Sequence, residues 1–328
     1  MRAVVSDWGL AWEQVNSPDP VALADRVYSA FMGNHYGIRD EIFHDFEKAL
    51  GATGIEIIEQ RLKEALATQK SDSYHQSTIR IGLTHIAEIK QDMDMYIEHK
   101  TDSGKYFNGI LLSDIVQKFL ACGRAEEAIE WLTQYKGTDN QASQHDYLML
   151  EANQKLGNLE AVKESHWQLF TKHLDLKDFE AVIKLSDAKA CKDYTKKAIQ
   201  TALKYHNVSS AVNFLLAINE LSSAIALFHQ KYNSIDGEWY DELKNMAKLF
   251  EKQQCYLEAI LIYRRLAESI LDRAKSKIYH YAVSYIEKAQ KLAEKVDNWQ
   301  QYPTSPIFIE EIRQAHKLKR AFWAQYDK

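Results

Sequence analysis

The chain has 328 residues, of which 46% are hydrophobic and 27% are charged, as in ordinary globular proteins. Its formal net charge of −5 argues against a general attraction to nucleic acid or to anionic membranes. Residues 244–328 hold 16 Lys and Arg against 10 Asp and Glu, a charge of +6, which leaves −11 for residues 1–243. We favour two solvated helical surfaces as the explanation, with steering of a partner as the alternative.

The distribution of proline predicts an all-α fold. None of the residues between Val21 and Tyr302 is a proline, since all four lie near the two ends: Pro18, Pro20, Pro303 and Pro306. Because proline breaks the interior of a helix, such a stretch suits uninterrupted helical packing. We therefore expect no sheet and a helical content above about 65%, well over the average for globular proteins.

The first predicted elements follow apolar residues spaced at i, i+3 and i+4. In chain order they are an N-terminal extension (1–18) and helices over 21–31, 39–50, 53–66 and 77–99. Asp19 and Pro20 begin the first of these helices, Gly51 ends the second, and Thr53 caps the third.

A short phrase then recurs at a spacing that points to repeats. Gly123 and Gly157 are 34 residues apart, and each precedes a small residue and then an aromatic one. The phrase returns without glycine in segments 221–228 and 256–263. This spacing resembles tetratricopeptide repeats, in which a small residue lets two helices approach and a large one fills the adjoining space. Eight residues in equivalent places are therefore expected to be buried: Ala128, Trp131, Ala161, Trp167, Ala224, Phe228, Ala259 and Tyr263.

The resemblance to tetratricopeptide repeats is partial, because residues 175–205 lack the turn glycine. We predict a degenerate tetratricopeptide-like helical-hairpin solenoid that forms a single domain. The repeat array spans residues 19–296. A loop and a C-terminal capping helix, packed on the array, take up residues 297–328, and Pro306 opens that last helix, which ends near Gln325.

No catalytic or metal motif emerges. The twelve histidines include no HExxH and no i, i+4 pair, and His166 and His173, at i, i+7, are too far apart to share a zinc ion. The three cysteines form no CxxC pair, and neither a phosphate-binding loop nor a nucleophile elbow occurs. We expect no catalytic residue, metal or cofactor. Because no secretory signal or membrane-length apolar run is found, we also expect a cytoplasmic protein without membrane contact.

A basic and aromatic cluster lies near the C-terminus. One set is spaced at i, i+4 and i+7 on a single helix face, and a second set follows on the predicted last helix. Basic residues among aromatics can hold a phosphate, a nucleic-acid backbone or an acidic peptide. We favour the alternative that the cluster ties two antiparallel terminal helices together, with its rings buried and Arg273 bonded to a carboxylate or carbonyl. The candidate residues are Arg273, Lys277, Tyr279, His280, His316, Lys319, Arg320 and Trp323.

The same residues carry a family resemblance. Segments 271–282 and 316–323 resemble the C-terminal signature of an uncharacterised bacterial helical family, and a related arrangement occurs in the C-terminal helical regions of SWIM zinc-finger proteins. Segments 36–40 and 43–51 are similar to the start of that family's helical array. The resemblance implies an α-helical repeat scaffold of mostly bacterial origin, and it implies no activity, substrate or catalytic residue.

Two features limit what the resemblance implies. The chain lacks a SWIM-type cysteine and histidine pattern, so the zinc-dependent nucleic-acid association of those proteins is not implied. Family members often carry further sequence before this region, so the chain is either a complete protein or a C-terminal portion.

Three functions are compatible with these observations. We favour a non-enzymatic scaffold whose surface binds an unknown protein partner. The second hypothesis is a nucleic-acid accessory protein that uses the basic C-terminal helices. The third is an enzyme or ligand-binding protein with a pocket between helical hairpins.

Overall fold

The computed structural model describes residues 2–14, 19–34, 39–68, 73–101, 108–135 and 142–327. Helices make up 81% of the described residues and none of these residues lies in a strand, which confirms the predicted all-α class. The chain forms two compact units, Met1–Asn158 (unit 1) and Leu159–Lys328 (unit 2). Within the described residues, no helix combines the length and apolar character needed to cross a bilayer.

The described residues of unit 1 form nine helices: α1 (Arg2–Glu13), α2 (Pro20–Met32), α3 (Ile42–Asp45), α4 (Glu47–Thr68), α5 (Ser73–Lys90), α6 (Met93–Lys100), α7 (Gly109–Ala121), α8 (Ala125–Gln134) and α9 (Ala142–Leu156). Three of them begin with side-chain caps that accept a backbone N–H bond, as Asp and Asn do at helix starts. The capping residues are Asp19, Asp92 and Asn108. Apolar faces of α2, α4, α5 and α7 meet in one buried core.

The described residues of unit 2 form ten helices: α10 (Leu159–His173), α11 (Leu176–Lys184), α12 (Ala188–Lys204), α13 (Val208–Ala217), α14 (Leu221–Lys231), α15 (Tyr240–Lys252), α16 (Tyr256–Asp272), α17 (Tyr279–Ala293), α18 (Ser305–Ala315) and α19 (Arg320–Tyr326). Helix α16 is buried along most of its length and packs against both α15 and α17. The sequence of α16 is apolar on more than one face, which is typical of a helix that other helices cover on both sides.

Several predicted helices are shorter than expected. The long helix over 77–99 is two helices, because Gln91 adopts a left-handed φ of 56° and Asp92 then caps α6. The helix over 39–50 reduces to α3 and the first turn of α4, which Gly51 separates from the rest of α4 with a φ of 58°. Gly51 therefore ends a helical segment, as the sequence predicted, and Thr53 lies two residues after this break. Residues 1 and 15–18 of the predicted extension and 36–38 of the family-like segment lie outside the described residues.

Five helices in the described part of the chain end in the same turn. In each, one residue has a left-handed φ and the next residue donates its N–H to the carbonyl five residues earlier, at 2.9 to 3.2 Å. This is the Schellman arrangement, which satisfies the last carbonyls of a helix. The left-handed residues are Gln91, Gly123, Gly157, Asn219 and Gln254. The two glycines that the sequence singled out therefore share their backbone role with an asparagine and two glutamines.

These turns correct the register of the recurring phrase. In the last four of these turns, the fifth residue after the left-handed residue is apolar and buried: Ala128, Val162, Ala224 and Ala259. The ninth position holds Leu132, His166, Phe228 and Tyr263. Of the eight residues predicted to be buried, Trp131, Ala161 and Trp167 are only partly buried. Each is one residue out of this register, and one residue turns a side chain by about 100° around a helix.

A buried arginine holds the connection between α17 and α18, residues 294–304, which we call the C-terminal loop. Arg264 of α16 is 2% exposed and donates to the Pro303 carbonyl at 2.7 Å and to Ser305 Oγ at 3.2 Å. Its guanidinium lies over the rings of Trp299 (4.9 Å) and Phe308 (4.5 Å). Burial lowers the pKa of Arg264 to about 10, so the group remains a cation at neutral pH.

A histidine relay fixes the same loop from α14. Tyr302 Oη lies 2.9 Å from His229 Nδ1, and His229 Nε2 lies 2.7 Å from Glu258 Oε1. A neutral imidazole that donates from Nε2 to the carboxylate therefore accepts from the tyrosine at Nδ1. Arg264 and this relay together anchor the C-terminal loop to α14 and α16.

Candidate functional site

A cleft lies in unit 2, where α15, the end of α16 and the start of α17 meet. It encloses about 420 Å³, within the range of small ligand sites. Its apolar lining comes from Leu266, Ile270 and Ile278. We call it the unit 2 cleft.

Local backbone features create the opening. The segment before α15 approaches α16 closely at Gly237, where a Cβ would lie 2.5 Å from Ser269 Cβ and 2.8 Å from the Arg265 carbonyl. Only glycine fits there without displacing backbone. On the other side, Ala274 adopts a left-handed φ of 53° and ends α16, so the chain turns through a single 3-10 turn, Ser276–Ile278, before α17 begins.

Three cations face the cleft from these elements. Lys244 of α15 pairs with Asp241 at 3.1 Å, and Arg273 donates to the Ser269 carbonyl at 3.1 Å with Glu238 at 3.8 Å. Lys275 is exposed in the turn after α16. The two acidic neighbours are absent from the described residues that line the cleft, so the lining itself carries only positive charge.

Three tyrosines complete the wall. Tyr240 and Tyr281 are each 51% exposed, whereas Tyr285 is partly buried and stacks on Tyr263 with ring centres 5.9 Å apart. Burial raises the pKa of Tyr285, and Lys244 opposes this rise. The hydroxyl therefore stays protonated at neutral pH and can donate a hydrogen bond.

The predicted cluster divides between this cleft and a separate core. Only Arg273 lines the cleft. Tyr279 and Trp323 are buried with Phe322, and Trp323 Nε1 donates to the His316 carbonyl at 3.0 Å. The expectation that the two rings are buried and that Arg273 bonds a carbonyl is confirmed.

The helix assignments behind that cluster were wrong. Arg273, Lys277 and His280 do not share a helix face, since α16 ends before Ala274 and α17 starts at Tyr279. The predicted last helix is likewise two helices, because the chain leaves the helical path at residues 316–319.

The remaining predicted residues lie at or near the surface. Lys277, His280 and Arg320 are exposed, and Lys319 is partly buried. His316 is also partly buried, with Nε2 3.5 Å from Asp272 Oδ1, and burial lowers the pKa of its ring. None of these five residues lines the unit 2 cleft.

Sequence reasoning missed most of the residues that line the cleft. Tyr240 and Lys244 are spaced i, i+4 on α15, and Tyr281 and Tyr285 repeat that spacing on α17. Residues at this spacing lie on one helix face, so each pair could have been found from the sequence. That the two pairs line one cleft could not be predicted, because it depends on how α15, α16 and α17 pack.

A family model described as a family of unknown function, DUF6880, matches residues 9–325. The chain belongs to this family. The match supports the predicted membership of an uncharacterised family and does not bear on the SWIM or tetratricopeptide resemblance. No curated protein and no solved structure matches the chain.

A metal centre finds no support in the described residues. No group of three or more His, Cys, Asp or Glu side chains lies close enough there to hold an ion. The unit 2 cleft instead presents hydrogen-bond donors, cations and aromatic rings around an apolar lining.

Proposed function

We propose that this chain is a non-enzymatic, cytoplasmic helical scaffold that binds a segment of another protein in the unit 2 cleft. The observation that carries the proposal is the combination of three cations, three tyrosines and an apolar lining in one cleft. The partner segment that this combination fits is acidic and carries one apolar or aromatic anchor.

Charge favours an acidic partner. Lys244, Arg273 and Lys275 present their cations to the cleft, and no carboxylate stands among its described lining residues. A carboxylate of the partner would replace water around these groups and form charge-assisted hydrogen bonds. The flanking residues Glu238 and Asp241 would repel a partner whose negative charge is spread widely, which favours a local acidic group over a long polyanion.

Exposed aromatic residues favour a protein partner. Trp239, immediately before α15, is 56% exposed, and Tyr240 and Tyr281 are each about half exposed. Tryptophan, tyrosine and arginine are the residues that most often dominate the energy of protein interfaces. Leu266 and Ile270 line the same cleft as Tyr240 and Tyr281 and can contact an aliphatic or aromatic side chain of the partner.

The recurring turns support a repeat scaffold. The five Schellman turns follow one another at intervals of 32, 34, 62 and 35 residues, so the 62-residue interval is close to two periods of 31. We propose that the helices of each unit are degenerate tetratricopeptide-like hairpins. Repeats of this type commonly present side chains of successive helices to a peptide. The SWIM resemblance remains a resemblance of sequence and supplies no partner.

Selection of peptides tests the function directly. Random twelve-residue peptides displayed on phage would be selected on the purified full chain and then measured as labelled synthetic peptides. We expect the enriched peptides to contain Asp or Glu next to Leu, Phe or Tyr. Lys275→Gln and Tyr281→Ala should each weaken their binding about tenfold.

The turn after α16 offers a matched control. Lys277 is exposed two residues from Lys275 and does not line the cleft, so Lys277→Gln should leave peptide binding unchanged. Enrichment of peptides that bind both lysine variants equally well would refute the cleft as the binding site. Tight binding of oligonucleotides with a steep salt dependence, lost in Lys275→Gln, would instead support the nucleic-acid hypothesis.

A further inference from the structure

Unit 1 contains a second cleft that is independent of the proposed protein interface. It encloses about 290 Å³ between α5 and the end of α6. Helix α5 lines it with one face, and α6 contributes its last two residues. The polar residues around it are Ser77, Arg80, Thr84, His85, His99 and Lys100.

Two histidines at this cleft have unmet hydrogen-bonding capacity. His99 is 7% exposed, and its buried Nδ1 has no hydrogen-bond partner among the described residues. The buried Nδ1 of His85 likewise has no partner in the described part of the chain. An unsatisfied buried polar atom is rare in folded proteins and destabilises the folded state. Both atoms belong to residues that line this one cleft.

Burial sets the charge of these rings. It lowers the pKa of His85, against the opposing effect of Glu41 and Glu88. It also lowers the pKa of His99, where Glu98 opposes the shift and Arg80 adds to it. Both imidazoles are therefore neutral at neutral pH, and each has one N–H to donate and one nitrogen that can accept.

Donors predominate among the polar groups around the cleft. Arg80 and Lys100 supply positive charge, Ser77 supplies a hydroxyl, and the neutral His99 ring supplies an N–H group, whereas the His85 ring donates to the Asp40 backbone. None of the described lining residues carries a carboxylate. Two neighbouring cations with only two imidazoles and no carboxylate disfavour a metal ion. A compact anion with several acceptor oxygens matches the same set.

We infer that the unit 1 cleft binds a phosphate group, either as free inorganic phosphate or as the phosphate of a small phosphomonoester. The guanidinium of Arg80 can bind two oxygens at once, and the ammonium of Lys100, which also reaches Asp114 at 3.0 Å, can contribute a third contact. His99 donates from the inner wall. The volume lies at the lower end of ligand sites and suits a small ligand.

The test is a titration of the full chain with sodium phosphate at constant ionic strength, with chloride as the balancing anion. Nitrogen-detected NMR of the imidazoles reports on the site itself. We expect saturable shifts of His99 and His85, with little change at His206, an exposed histidine outside the cleft. Glycerol phosphate in a second titration separates the two sources: tighter binding than inorganic phosphate assigns a phosphomonoester, and weaker binding assigns the free ion.

Two substitutions and a matched control locate the binding. Arg80→Gln should weaken phosphate binding about tenfold or more, and Lys100→Gln should weaken it severalfold. Lys90 is exposed to the same extent as Lys100 (40% against 39%) and also pairs with a carboxylate, Glu59, but does not line this cleft. Lys90→Gln should therefore leave binding within about twofold.

Several outcomes would overturn the inference. These are non-saturable imidazole shifts in the wild-type chain, equal effects of Lys90→Gln and Lys100→Gln, or unchanged affinity in Arg80→Gln. If Arg80→Gln does not fold, the wild-type titration and the Lys100 and Lys90 pair still decide the question. Failure of this test leaves the proposed peptide site untouched, because that site lies in unit 2.

Discussion

Two regions of helix α16 differ in a way that separates structural from binding roles. Near its middle, Arg264 is 2% exposed and donates a hydrogen bond to the Pro303 carbonyl in the C-terminal loop. At its end, Arg273 is partly exposed, bonds a carbonyl of its own helix and faces an open cleft. The hydrogen bonds of Arg264 stabilise the fold, whereas the guanidinium of Arg273 faces the cleft and can donate to a ligand there. Burial and the distance in sequence to the bonded partner distinguish them, and residue type does not.

The arginine that holds the C-terminal connection differs from the one that the sequence singled out. Sequence analysis expected the cluster that contains Arg273 to tie two terminal helices together. In the structure, Arg264 ties α16 to Pro303 and Ser305, while Arg273 lines the unit 2 cleft. The predictions below test this division of roles.

The largest effect is expected at the buried arginine. Arg264→Ala removes two hydrogen bonds and two ring contacts, and it leaves the Pro303 carbonyl without its donor. We expect a loss of about 3–5 kcal/mol in the free energy of unfolding, measured by urea denaturation. Arg264→Met keeps most of the volume and should recover part of that loss. Equal stability of the wild type and Arg264→Ala would mean that the C-terminal loop is not locked.

A smaller loss is expected from overpacking the core face of α16. Ala259 is fully buried at the position shared by the Schellman turns, so Ala259→Leu should destabilise by about 1–3 kcal/mol. Ala324 of α19 is exposed, and Ala324→Leu should change the midpoint of unfolding little. Similar denaturation curves for both variants would show that close helix approach at Ala259 is not required.

These residues also show how far the sequence could be interpreted. The fold class followed from the absence of proline, and Ala128, Ala224 and Ala259 followed from local spacing. Helix breaks at Gln91 and Ala274 did not, since neither residue type favours a left-handed backbone. Residue type alone therefore did not reveal these two breaks.

The candidate site was harder to predict than the fold. Arg273 was singled out because it stands in a basic and aromatic segment, and it does line the cleft. Lys244 and Tyr240 come from a helix about thirty residues earlier, so only tertiary packing brings them to Arg273. Arg264 was overlooked because its bonded partner, Pro303, is 39 residues away. The spacing of residues along the sequence predicts which of them share a helix face. It does not predict which helix faces pack against each other.

The pH dependence of stability probes the stretch of α16 between the two arginines. Burial raises the pKa of Glu268, and the charge of Arg265 only partly offsets this. Because the folded state holds the proton more tightly, the contribution is complete below the usual carboxyl pKa of 4.5 and is lost as pH rises through the raised value. Glu268→Gln should therefore flatten the decline in melting temperature over that interval. An identical pH profile in both proteins would show that Glu268 titrates normally.

The smallest effect on stability is expected at the exposed end of α16. Arg273→Gln loses one bond to the Ser269 carbonyl and a 3.8 Å approach to Glu238, both near the surface. Such contacts contribute little, so we expect a change below about 1 kcal/mol in urea denaturation. The same variant should weaken binding of the selected acidic peptides, because it removes a cation from the cleft. A loss of stability comparable to that of Arg264→Ala would make Arg273 a second structural lock, and the distinction between the two arginines would fail.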